Sequence, residues 1–246
     1  MQSSQRRPEA GLAAGGPAAP DRRRRRREQT IDEILDVAVA VMAEEGVAGL
    51  SLSAVARRMG IQPPSLYKYF PSKLAVYDAL FQRGAREALT VFRAATAGAE
   101  PGWAALTAGL GAVMRLGLDR QVTGQLLNWR PVPGFEPSAE AFAPSLEFVG
   151  EIRALLQAAA GRGELGGGAA SEEGEALLSV LVAGVMSQQL ANQPRASWDE
   201  GRFTRLAPRV LELFRCAYPP EREVSGDADQ EHQRRADPAD HARPRR

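Results

Sequence analysis

Ser65, Tyr67, Lys68 and Tyr69, followed by Lys73, crowd hydroxyls, phenols and ammonium groups into one short stretch. Side chains of this kind donate hydrogen bonds to phosphate oxygens and to acceptors on base edges. The concentration is selective: Lys68 and Lys73 are the only two lysines among 31 basic residues, and Tyr67, Tyr69 and Tyr77 are three of the four tyrosines. Gripping a polyanion is the chemistry this set serves best. Catalysis is poorly served, because both histidines, His232 and His241, fall in the polar C-terminal tail and Cys216 is the single cysteine. A nucleophile–imidazole pair or an imidazole metal site has nothing to draw on. No catalytic residue, metal ligand or cofactor is therefore expected, and Cys216 is expected as buried filler. Gly166-Gly167-Gly168 lacks the Lys-Ser/Thr of a phosphate loop and reads as a connector.

These groups need a rod to carry them and neighbours to brace it. Strand-like alternation is nearly absent and apolar residues recur at helical spacing, so the ordered part is expected to be all-α. Thr30-Ile31-Asp32-Glu33 has the form of a capping box. The helix it would start carries Ile31, Ile34, Leu35, Ala38, Val41 and Met42 on one face, and Gly46 would end it in a left-handed conformation. Ser51 is placed to cap a second helix that stops at Gly60. A third begins at Pro63 or Pro64, where a missing amide costs nothing, and runs to about Phe70. Leu66 and Phe70 would point inward and Pro71 would end it. Ser72 caps a fourth helix, 73–96, with Leu74, Tyr77, Leu80 and Phe81 facing the core. Further helices are expected near 101–118, 119–129, 138–160, 171–193 and 199–217.

Two short helices separated by Gly60-Ile61-Gln62 have helix-turn-helix spacing, and the second helix of such a pair enters the DNA major groove. Lys73 would sit at the first position of its helix, where the dipole disfavours a cation. A docked phosphate would reverse that penalty. The block from Gly46 to Ile61, followed by Pro64-Ser65-Leu66-Tyr67-Lys68-Tyr69-Phe70-Pro71-Ser72-Lys73, closely resembles the DNA-binding domain of the TetR family of transcriptional regulators. The resemblance covers about 30–80, and the Leu-Tyr-x-x-Phe then Ser-Lys ending is its most diagnostic part. It implies a three-helix DNA-binding head, a connecting helix, and an all-α C-terminal domain that dimerises and binds an effector. By position it implies DNA contacts at Ser51, Ser53, Pro63, Pro64, Ser65, Tyr67, Lys68, Tyr69 and Lys73. Gln62 stands where the family often has a Ser or Thr cap, and Leu74 where it often has an acidic residue.

In the C-terminal half, the segments 171–193 and 199–217 are the expected dimer pair. An effector pocket of aromatic, Leu and Met side chains would draw on Trp103, Leu110, Met114, Leu126, Trp129, Phe142, Phe148 and Met186. Taken singly, each of these residues is expected first as ordinary core. Arg130 and Gln188 are candidate polar anchors. The effector is expected to be a small lipophilic molecule.

Charge divides along the chain. Residues 21–94 carry 13 basic and 9 acidic side chains, net +4, while 95–216 carry 10 and 13, net −3, within an overall +1. Positive potential gathered at one end fits an anionic partner met by that end alone. Arg22 to Arg27 form an unbroken basic run, either an arm following the duplex or a solvated tail that raises nonspecific affinity. The expected organisation is a disordered basic arm at 1–27, the head at 28–74, a helical ligand-binding and dimerisation domain at 75–218 with 75–96 connecting, and a disordered tail at 219–246. One cysteine and no apolar run approaching about 18–20 residues fit a cytoplasmic chain with no membrane partner. The expected function is a ligand-responsive regulator, a repressor on a palindromic operator, bound to double-stranded DNA as a homodimer. The competing reading is a helical protein-interaction module whose head has lost DNA binding.

Overall fold

The computed structural model describes residues 19–220, and every described element is helical. In chain order these are α1 (Ala19–Glu45), α2 (Leu52–Arg58), α3 (Pro63–Leu66), α4 (Lys73–Thr96), α5 (Trp103–Asp119), α6 (Gln121–Asn128), α7 (Ala139–Gly161), α8 (Glu172–Asn192) and α9 (Ala207–Ala217). Short 3-10 turns occupy Val47–Gly49, Gly167–Ala170 and Thr204–Leu206. The all-α expectation holds.

The first correction falls on the N-terminus. Residues 19–27, expected as part of a disordered arm, are the opening turns of α1, and Arg22 to Arg27 are helical. Residues 1–18 lie outside the described part. Thr30 is consequently no N-cap. It sits inside the helix and its hydroxyl donates to the Arg26 carbonyl at 2.9 Å. Arginine is a good helix former, and Asp21 in the first turn meets both the helix dipole and its neighbours. Asp21 pairs with Arg24 at 2.9 Å and Arg25 at 3.1 Å. A capping box is a local preference, and here propagation of an already nucleated helix overrides it.

The head core forms as the apolar spacing requires. Ile34, Leu35, Ala38, Val41 and Met42 of α1 are buried with Leu52, Val55 and Ala56 of α2 and with Leu66, Phe70, Val76, Tyr77, Leu80 and Phe81 beyond. Leu74 faces out instead, 46% exposed, and Val76 takes the inward place. The compact unit around this core is larger than the expected 28–74. It takes in the described chain up to Glu87 together with Arg120–Pro144. Leu126 of α6, and Val132 and Phe135 of the following loop, belong to the same cluster. Phe135 lies 5.7 Å from the Tyr77 ring and 6.5 Å from the Phe81 ring. Within this unit Asp78 takes the Ser138 N–H at 2.7 Å and hydroxyl at 2.8 Å, and the Ser138 hydroxyl in turn caps α7 through the Ala141 N–H. Proline at 144 has no amide to give the Glu140 carbonyl, and the Gln82 side-chain amide donates there at 3.3 Å.

The second unit, Ala88–Asp119 with Ser145 onward, has its own core of Phe92, Leu106, Leu110, Leu156, Leu178 and Phe214 among others. The Glu164 carboxylate caps α5 by accepting the Trp103 N–H at 2.7 Å. Gln189 is wholly buried on α8. Its amide donates to the Gln193 carbonyl at 2.8 Å, and its oxygen accepts the Phe203 and Thr204 N–H groups at 3.1 and 3.3 Å. The last helix is shorter than the expected 199–217. Thr204 turns its hydroxyl onto the Trp198 carbonyl at 2.6 Å, and regular helix starts only at Ala207. Cys216, expected as filler, is exposed. By length and composition alone α8 could cross a membrane, the one such helix among the described residues. It nevertheless contributes Leu178, Val185 and Met186 to the core of this unit.

Candidate nucleic-acid interface

Each turn of the head has an identifiable local cause. Gly46 leaves α1 at φ 81 and ψ 158, a positive φ as expected but with an extended ψ rather than the left-handed helical value. The Ser51 side chain caps α2 by accepting the Ala54 N–H at 3.4 Å. At the far end of α2 the Ile61 N–H bonds the Ala56 carbonyl at 3.0 Å and the Gly60 N–H bonds that of Arg57 at 3.2 Å. With Gly60 at φ 67, these two bonds make a Schellman stop. Pro63 opens α3. Regular helix ends at Leu66, short of the expected Phe70, and the chain continues in turns. The Tyr69 and Phe70 N–H groups still bond the Leu66 carbonyl at 2.9 and 3.1 Å. Ser72 then accepts the Ala75 N–H at 3.1 Å and starts α4.

Leu66 and Phe70 are buried anchors, as expected. The side chains between them stay out: Tyr67 is 52% exposed, Lys68 is exposed, and Tyr69 is half-buried. Ser51, Ser53, Pro64 and Lys73 are exposed as well, while Pro63 and Ser65 are half-buried. Tyr69 carries a cation on its ring, with the Arg27 guanidinium 5.5 Å from the ring centre.

Lys73 is not idle in the free chain. Its ammonium donates to the Ala48 carbonyl at 3.5 Å and lies 5.8 Å from the Tyr77 ring centre. The buried Tyr77 hydroxyl donates to the Val47 carbonyl at 2.6 Å. Burial holds the Tyr77 phenol above the ordinary tyrosine range. Together these side chains pin the 3-10 turn between α1 and α2. Sequence reading missed this knot, and also the Arg27–Tyr69 contact, because both join residues far apart in the chain. Arg58 is turned back onto Glu44 of α1. Their hydrogen bond raises the guanidinium pKa and lowers that of the carboxylate.

The eight effector-pocket candidates divide between the two units. Leu126, Trp129 and Phe142 lie in the head unit, where Leu126 is core and Phe142 stacks on Phe81 at 6.0 Å. Trp103, Leu110, Met114, Phe148 and Met186 lie in the second unit. Leu110 and Met186 are buried core there, and Phe148 packs edge-on against Phe92 at 5.0 Å. Trp103 and Met114 alone among the eight line an open apolar groove of about 450 Å³, with Trp198, Gly111 and Leu211. Arg130 and Gln188 are both exposed.

A capped brace helix, a Schellman turn and a short rod with outward phenols define a helix-turn-helix head on an all-α chain. Residues 34–80 match the family described as bacterial regulatory proteins, tetR family. This head belongs to the TetR family. Over 51 residues it is 39% identical to YobS of Bacillus subtilis, described as an uncharacterized HTH-type transcriptional regulator, covering 21% of this chain and 27% of that protein. Over 54 residues it is 37% identical to the HTH-type transcriptional repressor DrrR1 of Streptomyces coeruleorubidus, covering 22% of this chain and 20% of that one. The matches thus span less than a third of either relative. The fold as a whole is similar to that of PfmR, a TetR family transcriptional regulator from Thermus thermophilus. The TM-score is 0.60 at 18% identity, covering 74% of this chain and 97% of that one.

Proposed function

We propose that this chain is a cytoplasmic, ligand-responsive transcriptional repressor that binds a palindromic operator in double-stranded DNA as a homodimer. The observation that carries this reading is α3 with the turns that follow it, held by Leu66 and Phe70 with Tyr67 and Lys68 turned to solvent. Tyr67, Tyr69 and Ser65 offer hydroxyls to phosphates and base edges, and Lys68 offers a charged donor. Ser51, Ser53, Pro63, Pro64 and Lys73 contact the flanking backbone. Two heads are needed because one module buries little surface on a duplex. The partner surface is the face of α8 and α9 that leaves Val180 67% and Leu213 57% exposed. A lipophilic effector enters the groove bounded by Trp103, Met114 and Trp198. To release DNA it must prefer the non-binding conformation. Selection from a randomised duplex pool, followed by gel shift, tests the reading. A sequence preference lost in Tyr67→Ala supports it, and no preference at moderate salt favours the interaction-module alternative.

A further inference from the structure

The six arginines of α1 are sorted by side. Successive helical residues turn by about 100°. On that basis Arg22, Arg23, Arg26 and Arg27 fall within an arc of about 140°, and Asp21, Arg24, Arg25 and Glu28 fall on the opposite side. Every ion pair of this segment lies on that second side: Asp21 with Arg24 and Arg25, and Arg24 with Glu28 at 3.7 Å. The first four make no ion pair among the described residues, and all four are exposed. Arg23 and Arg27 fall in line with one edge of the buried stripe of the same helix, and Arg24 with its other edge. Arg27, Ile34 and Val41 follow one another at intervals of seven, and Ile34 and Val41 are in the head core. Beyond the edge of that core, positions that would otherwise pack are therefore guanidinium groups. Arg27 emerges beside the segment that follows α3, its guanidinium on the Tyr69 ring.

We infer that the α1 extension is a rigid prong that lays Arg22, Arg23, Arg26 and Arg27 on the phosphate backbone of a DNA duplex, outside the half-site read by α3. The inference rests on the DNA-binding reading above and extends its footprint. A helix fixes where the four charges stand relative to Tyr69, which a flexible arm would not. The internally neutralised side, with Asp21 and Glu28, faces away from the polyanion. The chemistry is a charge array on phosphates. Each phosphate neutralised releases counterions and contributes about 0.9 to the slope of log affinity against log salt.

The test uses the full chain and a duplex selected from a randomised pool, with affinity followed by fluorescence anisotropy from low to moderate KCl. Replacing Arg22, Arg23, Arg26 and Arg27 together with Gln should lower the salt slope by about two to four units per head while keeping the core sequence preference. Replacing Arg24 and Arg25 with Gln should lower it by less than one unit. Gln29→Pro, which breaks α1 just before Ile31, should reproduce the loss seen in the fourfold variant. Circular dichroism and thermal unfolding check that each variant keeps a folded head. An unchanged slope in the fourfold variant overturns the prong, as does an equal loss per charge in the Arg24/Arg25 control. Wild-type behaviour of Gln29→Pro overturns its rigidity, and altered preference at flanking A·T steps overturns the backbone assignment in favour of the minor groove. If the wild-type chain retains sequence preference in these cases, the regulator reading stands and only the prong fails. If the wild type prefers no duplex, both fail.

Discussion

Single side chains in the head divide between those that hold the turn and those that reach outward. Tyr77 belongs to the first kind. Tyr77→Phe removes the donor to the buried Val47 carbonyl, and denaturant unfolding at neutral pH should show a loss of about 1–2 kcal/mol. The pH dependence has a definite sign. The folded phenol titrates above its ordinary value because burial favours the neutral form. Its contribution is complete below about pH 10, the unfolded tyrosine range, and is lost as pH rises through the folded value. The Phe variant should therefore lose less stability above pH 10 than the wild type, and parallel alkaline curves would sink the account. Lys68→Ala belongs to the second kind. It should leave thermal unfolding unchanged and weaken duplex binding, with the salt slope falling by about one unit. Much of this was readable from composition. The segregation of two lysines and three tyrosines marked the segment that leaves Tyr67 and Lys68 exposed, and the burial of Leu66 and Phe70 followed from spacing. The second task of Lys73 was not readable, since its acceptor is the Ala48 carbonyl of another turn.

Elements were legible where the signal was local. Ser51, Gly60, Pro63 and Ser72 each mark a boundary through their own backbone chemistry, and α4 begins and ends where the sequence places it. Boundaries failed where a local preference competed with something longer in range. Thr30 lost its capping role to a helix already propagating from Ala19, and Leu74 yielded its inward place to Val76. The eight pocket candidates divide between two cores, because an apolar side chain gives no sign of which core it will join. Gly60 offers a clean test of one element. A Cβ there meets no neighbouring atom, so the cost of Gly60→Ala is the strain of positive φ alone, about 1–2 kcal/mol. A chevron or equilibrium denaturation experiment should find that loss with the fold retained. Gln189→Leu should cost the second unit more, about 2–4 kcal/mol, since the buried Thr204 N–H and its neighbours lose their partner. Near-neutral behaviour in the Leu variant would mean that water or a rearranged loop replaces the amide.

At the scale of the whole molecule, the proposed function calls for a surface on which two chains could pair. Val180 on α8 and Leu213 on α9 are large apolar groups left to solvent on helices that pack together. If they form the homodimer face, Val180→Asp with Leu213→Asp should shift the chain from dimer to monomer in light scattering. Duplex affinity should fall by at least tenfold, while helicity is kept. A variant that stays dimeric would move the interface elsewhere.

The carbonyl of Glu140 has a mechanical consequence inside the head unit. Denied its usual helical donor by the proline at 144, it takes the amide of Gln82, while Asp78 clasps Ser138 one turn earlier on α4. Three donors and acceptors in register act as a splint between the start of α4 and the start of α7. Sliding one past the other would strand all of them at once. Any displacement of the opening turns of α4 must therefore carry the first turn of α7 along as cargo.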